Sequence, residues 1–335
     1  MAEEKTKKKM KRGMGQVVTV TIGLIVLCIV FGLINPTFFS SRNLNNLLRQ
    51  IAPILIIGIG QSYVLITGNI DLSIGSVVGM STMISATMMS HGSNPAFAVL
   101  ITLVCCLAVG VLNGILVAGF KLPPFIGTLG TMSIARGIAQ IANGNYNTDA
   151  IGAKAEGFRN LLYYGRFLNI YSTVWIAIIV WLIFNFILSR TKTGRHIYAV
   201  GSNLEAAKLS GVNVFNTTTI AYIVSSFCAC LVGLIQCASA GMGAMDAGNS
   251  YEMYAVAASV IGGVSTLGGT GILLGTVVGA AIWGVLQNGL QFAGAPVAIR
   301  NIMIGVIVVV SVLSDIIVRN SGSRVKLQGN KKKTK

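Results

Sequence analysis

The sequence predicts an all-α polytopic membrane protein with about ten transmembrane helices. Three observations carry that prediction. Of the 335 residues, 53% are apolar and 10% charged, whereas soluble domains carry about 25% charged residues. Forty glycines sit in this apolar chain, and Gly is more frequent in membrane helices than in soluble ones. Apolar runs near the roughly 20 residues that cross a bilayer recur at 16–34, 51–68, 72–90, 96–119, 124–142, 172–188, 215–240, 253–268, 271–290 and 298–318.

The elements follow in chain order. Residues 1–15 form a basic tail containing Lys5, Lys7, Lys8, Lys9, Lys11 and Arg12. The apolar run behind it is longer than a signal-peptide core, and no small-x-small cleavage pattern follows, so it reads as an uncleaved anchor. Residues 41–50 place Leu44, Leu47 and Leu48 on one face at helical spacing, which predicts an interfacial helix leading into the second span. The pairs 51–68/72–90 and 253–268/271–290 are separated by so little that each is a tight hairpin or a re-entrant element. The 143–171 loop is rich in aromatics, as segments at headgroup level are, and reads as an interface cover. One membrane domain, 16–318, is bounded by a second basic tail, 319–335.

Positive charge orients these spans. With both termini in the cytoplasm, inner segments hold eighteen Lys and Arg and outer segments six, as the positive-inside rule requires. The 189–214 segment is then cytoplasmic and 143–171 external. The formal charge of +16 lies mostly in clusters flanking spans, where it meets anionic lipid. No basic face interleaved with aromatics is present, which argues against nucleic acid.

Residues 189–214 are polar yet carry a compact helix signal. Ser202 stands as a candidate N-cap with Glu205 three residues on, the spacing of a capping box. Ala206, Ala207, Lys208 and Leu209 favour helix, and Gly211 suits a helix end with positive φ. About two turns result. So short a helix is marginal alone and needs a surface, in this chain or in a partner.

Within the spans, G-x-x-x-G occurs at Gly75–Gly79, Gly110–Gly114 and Gly275–Gly279, a spacing that lets helix backbones approach closely. Gly68, Gly75, Val77, Val78 and Gly79 match Gly268, Gly275, Val277, Val278 and Gly279 at a constant offset, the mark of an internal repeat such as transporters use. Intramembrane polar residues face a cavity or one another. Gln61, Asn69, Asp71, Asn113, Arg136 and Gln140 are the candidates for a solute path, with Arg136 and Gln140 four apart on one helix face. Asp71 also reads as the N-cap of the span behind it. Gln236, Gln287, Asn288 and Gln291 are further polar residues in the bundle. The six cysteines fall in apolar runs as small buried hydrophobes. Neither a phosphate loop, H-E-x-x-H nor G-x-S-x-G occurs, so no catalytic residue, metal site or cofactor is expected. Any energy source lies on another chain.

Four ordered blocks carry a family resemblance. Glu205-Ala206-Ala207-x-x-x-Gly211 resembles the EAA–Gly loop of ABC importer permeases. GNIDLSIGSVVG at 68–79, PFIGTLGTMSIARG at 124–137 and GGVSTLGGTG at 262–271 look like the ribose/galactose/xylose-type sugar permeases. The resemblance implies the type II ABC importer permease fold, a permease homodimer or heterodimer, two cytoplasmic ABC ATPase subunits and an extracytoplasmic sugar-binding protein. It further implies a bacterial inner-membrane location, with the 202–211 helix receiving the ATPase through Ser202, Glu205, Ala206, Ala207 and Gly211. One departure stands out: where the family often has Asp, this chain has Tyr254. A secondary carrier driven by an ion gradient is the alternative reading.

Overall fold

Two long helices, buried along most of their length, form the centre of the bundle: α2 (Ser41–Ile66) and α10 (Val214–Ala240). The computed structural model describes residues 2–296 and scattered positions from 298 to 313, with side chains from 15 onward except at 16. The predicted tail 319–335 and much of the predicted span 298–318 lie outside the described residues. Around the central pair stand α1 (Ala2–Ile34), α3 (Ile74–Ser90), α4 (Pro95–Gly114), α5 (Pro124–Ile141), the short α6 (Glu156–Arg159), α7 (Ser172–Arg190), α8 (Lys192–Ser202), α9 (Leu204–Leu209), α11 (Tyr251–Ile261) and α12 (Leu273–Phe292). The one described sheet is a two-stranded antiparallel ribbon, β1 (Arg166–Phe167) with β2 (Ile170–Tyr171).

Among the described residues, six helices are long and apolar enough to cross a bilayer: α1, α2, α4 with its continuation to Gly119, α7, α10 and α12. The expected count of about ten is not confirmed on this measure, and much of the expected span 298–318 lies outside the described residues. The predicted span 253–268 is an eleven-residue helix, α11, about 16 Å long at 1.5 Å per residue and so half a hydrocarbon core of about 30 Å. It stops because the following Gly263, Gly268 and Gly269 all take positive φ, where the helix cannot continue. α3 is also among the shorter apolar helices. α5 has 18 residues but carries Arg136 and Gln140, and is not among the six. The 41–50 segment is no separate interfacial helix. It is the first part of α2, whose N-terminus Ser40 caps by accepting from the Asn43 N–H.

α10 packs against α2, α3 and α4, and α12 against α1, α2 and α11. Small residues set these distances. A Cβ on Gly110 or Gly114 would press on the α10 backbone, on Gly275 or Gly279 on residues 258–262, and on Gly75 or Gly79 on residues 247–252. Hydroxyls add hydrogen bonds between helices: Ser62 Oγ lies 3.1 Å from Ser259 Oγ and 2.9 Å from Thr276 Oγ1, and Thr82 Oγ1 donates to Gly233 O. At the far end of α12, Asn43 and Asn288 exchange amide hydrogen bonds of 2.9 and 3.1 Å.

The two segments of the expected repeat share a backbone feature. Gly68 and Gly268 have φ of 83° and 82°, and each precedes the turn into a helix, α3 or α12. The copies also touch: a Cβ on Gly268 would lie 2.8 Å from Gly68 Cα, and one on Gly58 3.2 Å from Ala258 Cβ. Residues 200 apart thus meet at these two points.

Candidate functional site

The polar 189–214 segment folds as two helices at one end of the bundle. α8, which the sequence signal did not reveal, is capped by Thr191, whose hydroxyl accepts from the Gly194 N–H. It ends at Asn203, whose extended backbone (φ −165°, ψ 107°) also opens α9. Asn203 Oδ1 accepts from the Ala206 N–H at 2.9 Å. The cap is therefore Asn203, and the expected Ser202–Glu205 capping box is corrected. Ser202 is the last residue of α8, and its hydroxyl donates to Gly269 O at 3.4 Å. Glu205 instead sits 4.0 Å from Lys208 Nζ, both largely exposed, a pairing worth under about 1 kcal/mol.

The other end of α9 is as the sequence reads. Gly211 takes φ 80°, its N–H donates to Lys208 O, and the Val212 N–H donates to Ala207 O, both at 3.0 Å. This double closure is a Schellman motif. α9 buries Ala207 and leaves Leu209 90% exposed, so an apolar side chain stands free on a six-residue helix.

α8 ties this end to both halves of the repeat. Tyr198 Oη donates to Gly271 O at 2.6 Å. Gly201 lies where an added Cβ would overlap Ile66 O and approach Gly269 N at 2.7 Å, and the Gly269 N–H itself donates to Ile66 O at 2.8 Å. Three backbone segments therefore meet at one point.

The six proposed path residues separate into three places. Asp71 and Asn113 belong to one fully buried network. Asp71 Oδ1 accepts from the Ser73 N–H (2.9 Å) and hydroxyl (2.6 Å), and Oδ2 from the Ser225 hydroxyl (2.7 Å). Asn113 donates to Ser73 Oγ and accepts from Thr131. Asp71 is thus no N-cap: Ser73 holds that position, without a side-chain capping bond, and Asp71 fixes the turn before it. Asn69 donates to Thr67 Oγ1 nearby. Gln61 is fully buried with neither amide atom hydrogen-bonded. Arg136 and Gln140 line a cleft of about 300 Å³ together with Ser76, Ser133 and Glu252. The Arg136 guanidinium is already engaged there. Nη1 donates to Met245 O at 3.2 Å and Ala247 O at 2.8 Å, with Nη2 3.5 Å from Gly75 O.

A larger cavity, about 640 Å³, opens among α2, α10, α11 and α12. It lies toward the start of α2 and the end of α10, the ends away from α8. Tyr254 and Trp283 lie against each other in its wall, ring centroids 4.7 Å apart and planes tilted by 35°. Gln50, Gln236, Gln287 and Gln291 also line it, and Arg49 and Tyr163 stand among its lining residues. The Arg49 guanidinium lies between the Tyr163 and Tyr171 rings, 4.6 and 4.3 Å from their centroids. Sequence reasoning singled out the intramembrane glutamines at 236, 287 and 291 but not their aromatic neighbours. The signal available was Tyr254, the departure from the family pattern, three residues from Tyr251 on one helix face.

The family model for the permease component of branched-chain amino acid transport systems matches residues 43–312. The ribose import permease protein RbsC of Haemophilus influenzae is 38% identical over 296 residues, 88% of this chain and 91% of its own length. The galactose/methyl galactoside import permease protein MglC of Escherichia coli is 33% identical over 87% of this chain and 91% of its own. The D-allose transport system permease protein AlsC of Escherichia coli is 32% identical over 87% and 89%. No solved structure matches the chain. A helical bundle with a short exposed helix at one end, the family model over most of its length and relatives of this kind lead to one conclusion: the chain belongs to the ABC import permeases.

Proposed function

We propose that the chain is the membrane-spanning subunit of an ATP-driven importer for a monosaccharide-type solute. It carries the translocation path while a separate ATPase hydrolyses ATP. The observation that carries the reading is α9: six residues, exposed apolar Leu204 and Leu209, and a rigid link through α8 to the 66–69 and 268–271 segments. Isolated helices this short do not persist, so this one is held ready by its neighbours for a partner. A displacement applied there reaches both copies of the repeat through Gly201 and Tyr198.

In this account both termini and α8–α9 are cytoplasmic, and the 143–171 segment faces outward in a bacterial inner membrane. The permease pairs with itself or a sister chain, and a sugar-binding protein delivers solute from outside. The relatives' printed cargoes, ribose, galactose and allose, support a sugar.

Co-purification of the ATPase tests the coupling. Glu205→Arg places a positive charge in the first turn of α9, against the helix dipole, and Leu209→Asp removes the exposed apolar side chain. Both variants should lose ATPase while the permease stays folded. Full retention by both would overturn the role given to α9, and labelling of a Cys at 202 from the outside would overturn the orientation.

A further inference from the structure

We propose that the cavity among α2, α10, α11 and α12 is a resting station, inside a single permease chain, for a neutral hydroxyl-bearing ring, and that it rejects zwitterions. The proposal rests on the sugar-import reading and adds to it where the solute is held and what the site selects.

Size comes first. About 640 Å³ lies within the range of small-molecule sites, about 300–1,000 Å³. The wall chemistry is more specific. Half-buried Tyr254 presents its ring to the cavity, backed by Trp283, which is 2% exposed and so fixed in place with its ring tilted 35° to that of Tyr254. Such a surface suits the apolar C–H face of a sugar ring. Gln50, Gln236, Gln287 and Gln291 come from three different helices. Each amide offers two donors and an acceptor with two lone pairs, which matches hydroxyls that both donate and accept.

Charge decides the class. Among the described residues no Asp, Glu or Lys lines the cavity, and the one ionic side chain there, Arg49, lies over the rings of both Tyr163 and Tyr171. An amino acid would bring an ammonium group with no carboxylate to meet it, and an unpaired charge out of water is costly. A polyol leaves no charge unpaired. The family model's printed cargo, branched-chain amino acids, is thus the wrong chemistry for this cavity.

The cavity contains its own reporter. The chain has three tryptophans, so Trp175→Phe with Trp181→Phe leaves Trp283 as the sole emitter. The purified full-length permease, free of ATPase, is titrated with D-ribose, D-galactose, D-allose, myo-inositol and L-leucine. At least one of the four polyols should shift Trp283 emission saturably, and L-leucine should not. Tyr254→Ala and Gln287→Leu should each raise the Kd about tenfold or more, while Tyr254→Phe stays within about threefold. Should Tyr254→Ala fail to fold, Gln287→Leu and Gln291→Ala carry the test. A saturable response to L-leucine, no response to any polyol, or an unchanged Kd in the folded variants would overturn the proposal. ATPase co-purification is a separate readout: a variant that keeps ATPase but shows none of these effects overturns the cavity and leaves the importer reading standing.

Discussion

Replacing Gly201 by Ala sets two effects of opposite sign against each other. Gly201 lies within α8, and in a helix interior Ala is favoured over Gly by about 1 kcal/mol. Helix propensity alone therefore predicts a more stable protein. The added Cβ, however, would overlap Ile66 O and lie 2.7 Å from Gly269 N. Both are backbone atoms, so no side-chain rotation relieves the overlap. Overpacking of this kind costs about 1–3 kcal/mol. The Gly269–Ile66 hydrogen bond of 2.8 Å crosses the same point, and leaving its groups unpaired costs about 1–3 kcal/mol more. Clash exceeds propensity, and the net loss is about 1–5 kcal/mol. Gly130→Ala in α5 is the control, since its added Cβ meets nothing within 4 Å; it should be neutral or stabilising. Thermal unfolding of the two purified variants beside the parent reads the difference. A Gly201→Ala protein as stable as the parent would refute the seating of α8 on both repeat loops.

Other consequences are as direct. Asn203→Ala should cost α9 about 1 kcal/mol and speed amide exchange at Ala206, whereas Ser202→Ala removes only a 3.4 Å contact and should leave that exchange unchanged; equal effects would contradict the assigned cap. Arg136→Leu strips donors from the Met245 and Ala247 carbonyls and should lower the melting temperature, with Arg136→Lys intermediate because an ammonium group lacks the guanidinium fork. A fully stable Arg136→Leu protein that no longer transports would make Arg136 a solute contact instead. Asp71→Ala takes the acceptor from the Ser73 and Ser225 O–H donors, at about 1–3 kcal/mol each. Asp71→Asn should lose less, since its amide can still accept from Ser73 and donate to Ser225; the two melting temperatures rank the variants.

What could be read from the sequence follows the range of each interaction. Gly211 was legible because a Schellman closure depends on neighbours in sequence alone. The G-x-x-x-G positions were legible because small residues in apolar helices have few uses besides close packing. The cap of α9 was misplaced by one residue: Ser202 and Asn203 are both good caps, and only the docking of α8 decides between them. α8 itself escaped notice because its apolar positions are few and their burial comes from distant loops. Apolar composition did not reveal that the 253–268 run is a short helix, since a half-helix such as α11 is as greasy as a full one. Arg136 and Gln140 do share a cleft, as their spacing implies, but the Met245 and Ala247 carbonyls that accept from the guanidinium lie more than a hundred residues away. The large cavity draws its wall from five helices, α2, α3, α10, α11 and α12, and no local pattern joins Gln50, Gln236, Tyr254 and Trp283.

The most direct test of the central claim is solute uptake by proteoliposomes. They would hold this permease with its co-purified ATPase, and be supplied with the binding protein and a labelled sugar. The account predicts uptake that starts with ATP on the ATPase side, stops without it, and is indifferent to ionophores that collapse ion gradients. Uptake by the permease alone, driven by an ion gradient and abolished by the ionophore, would contradict the account and make the chain a secondary carrier.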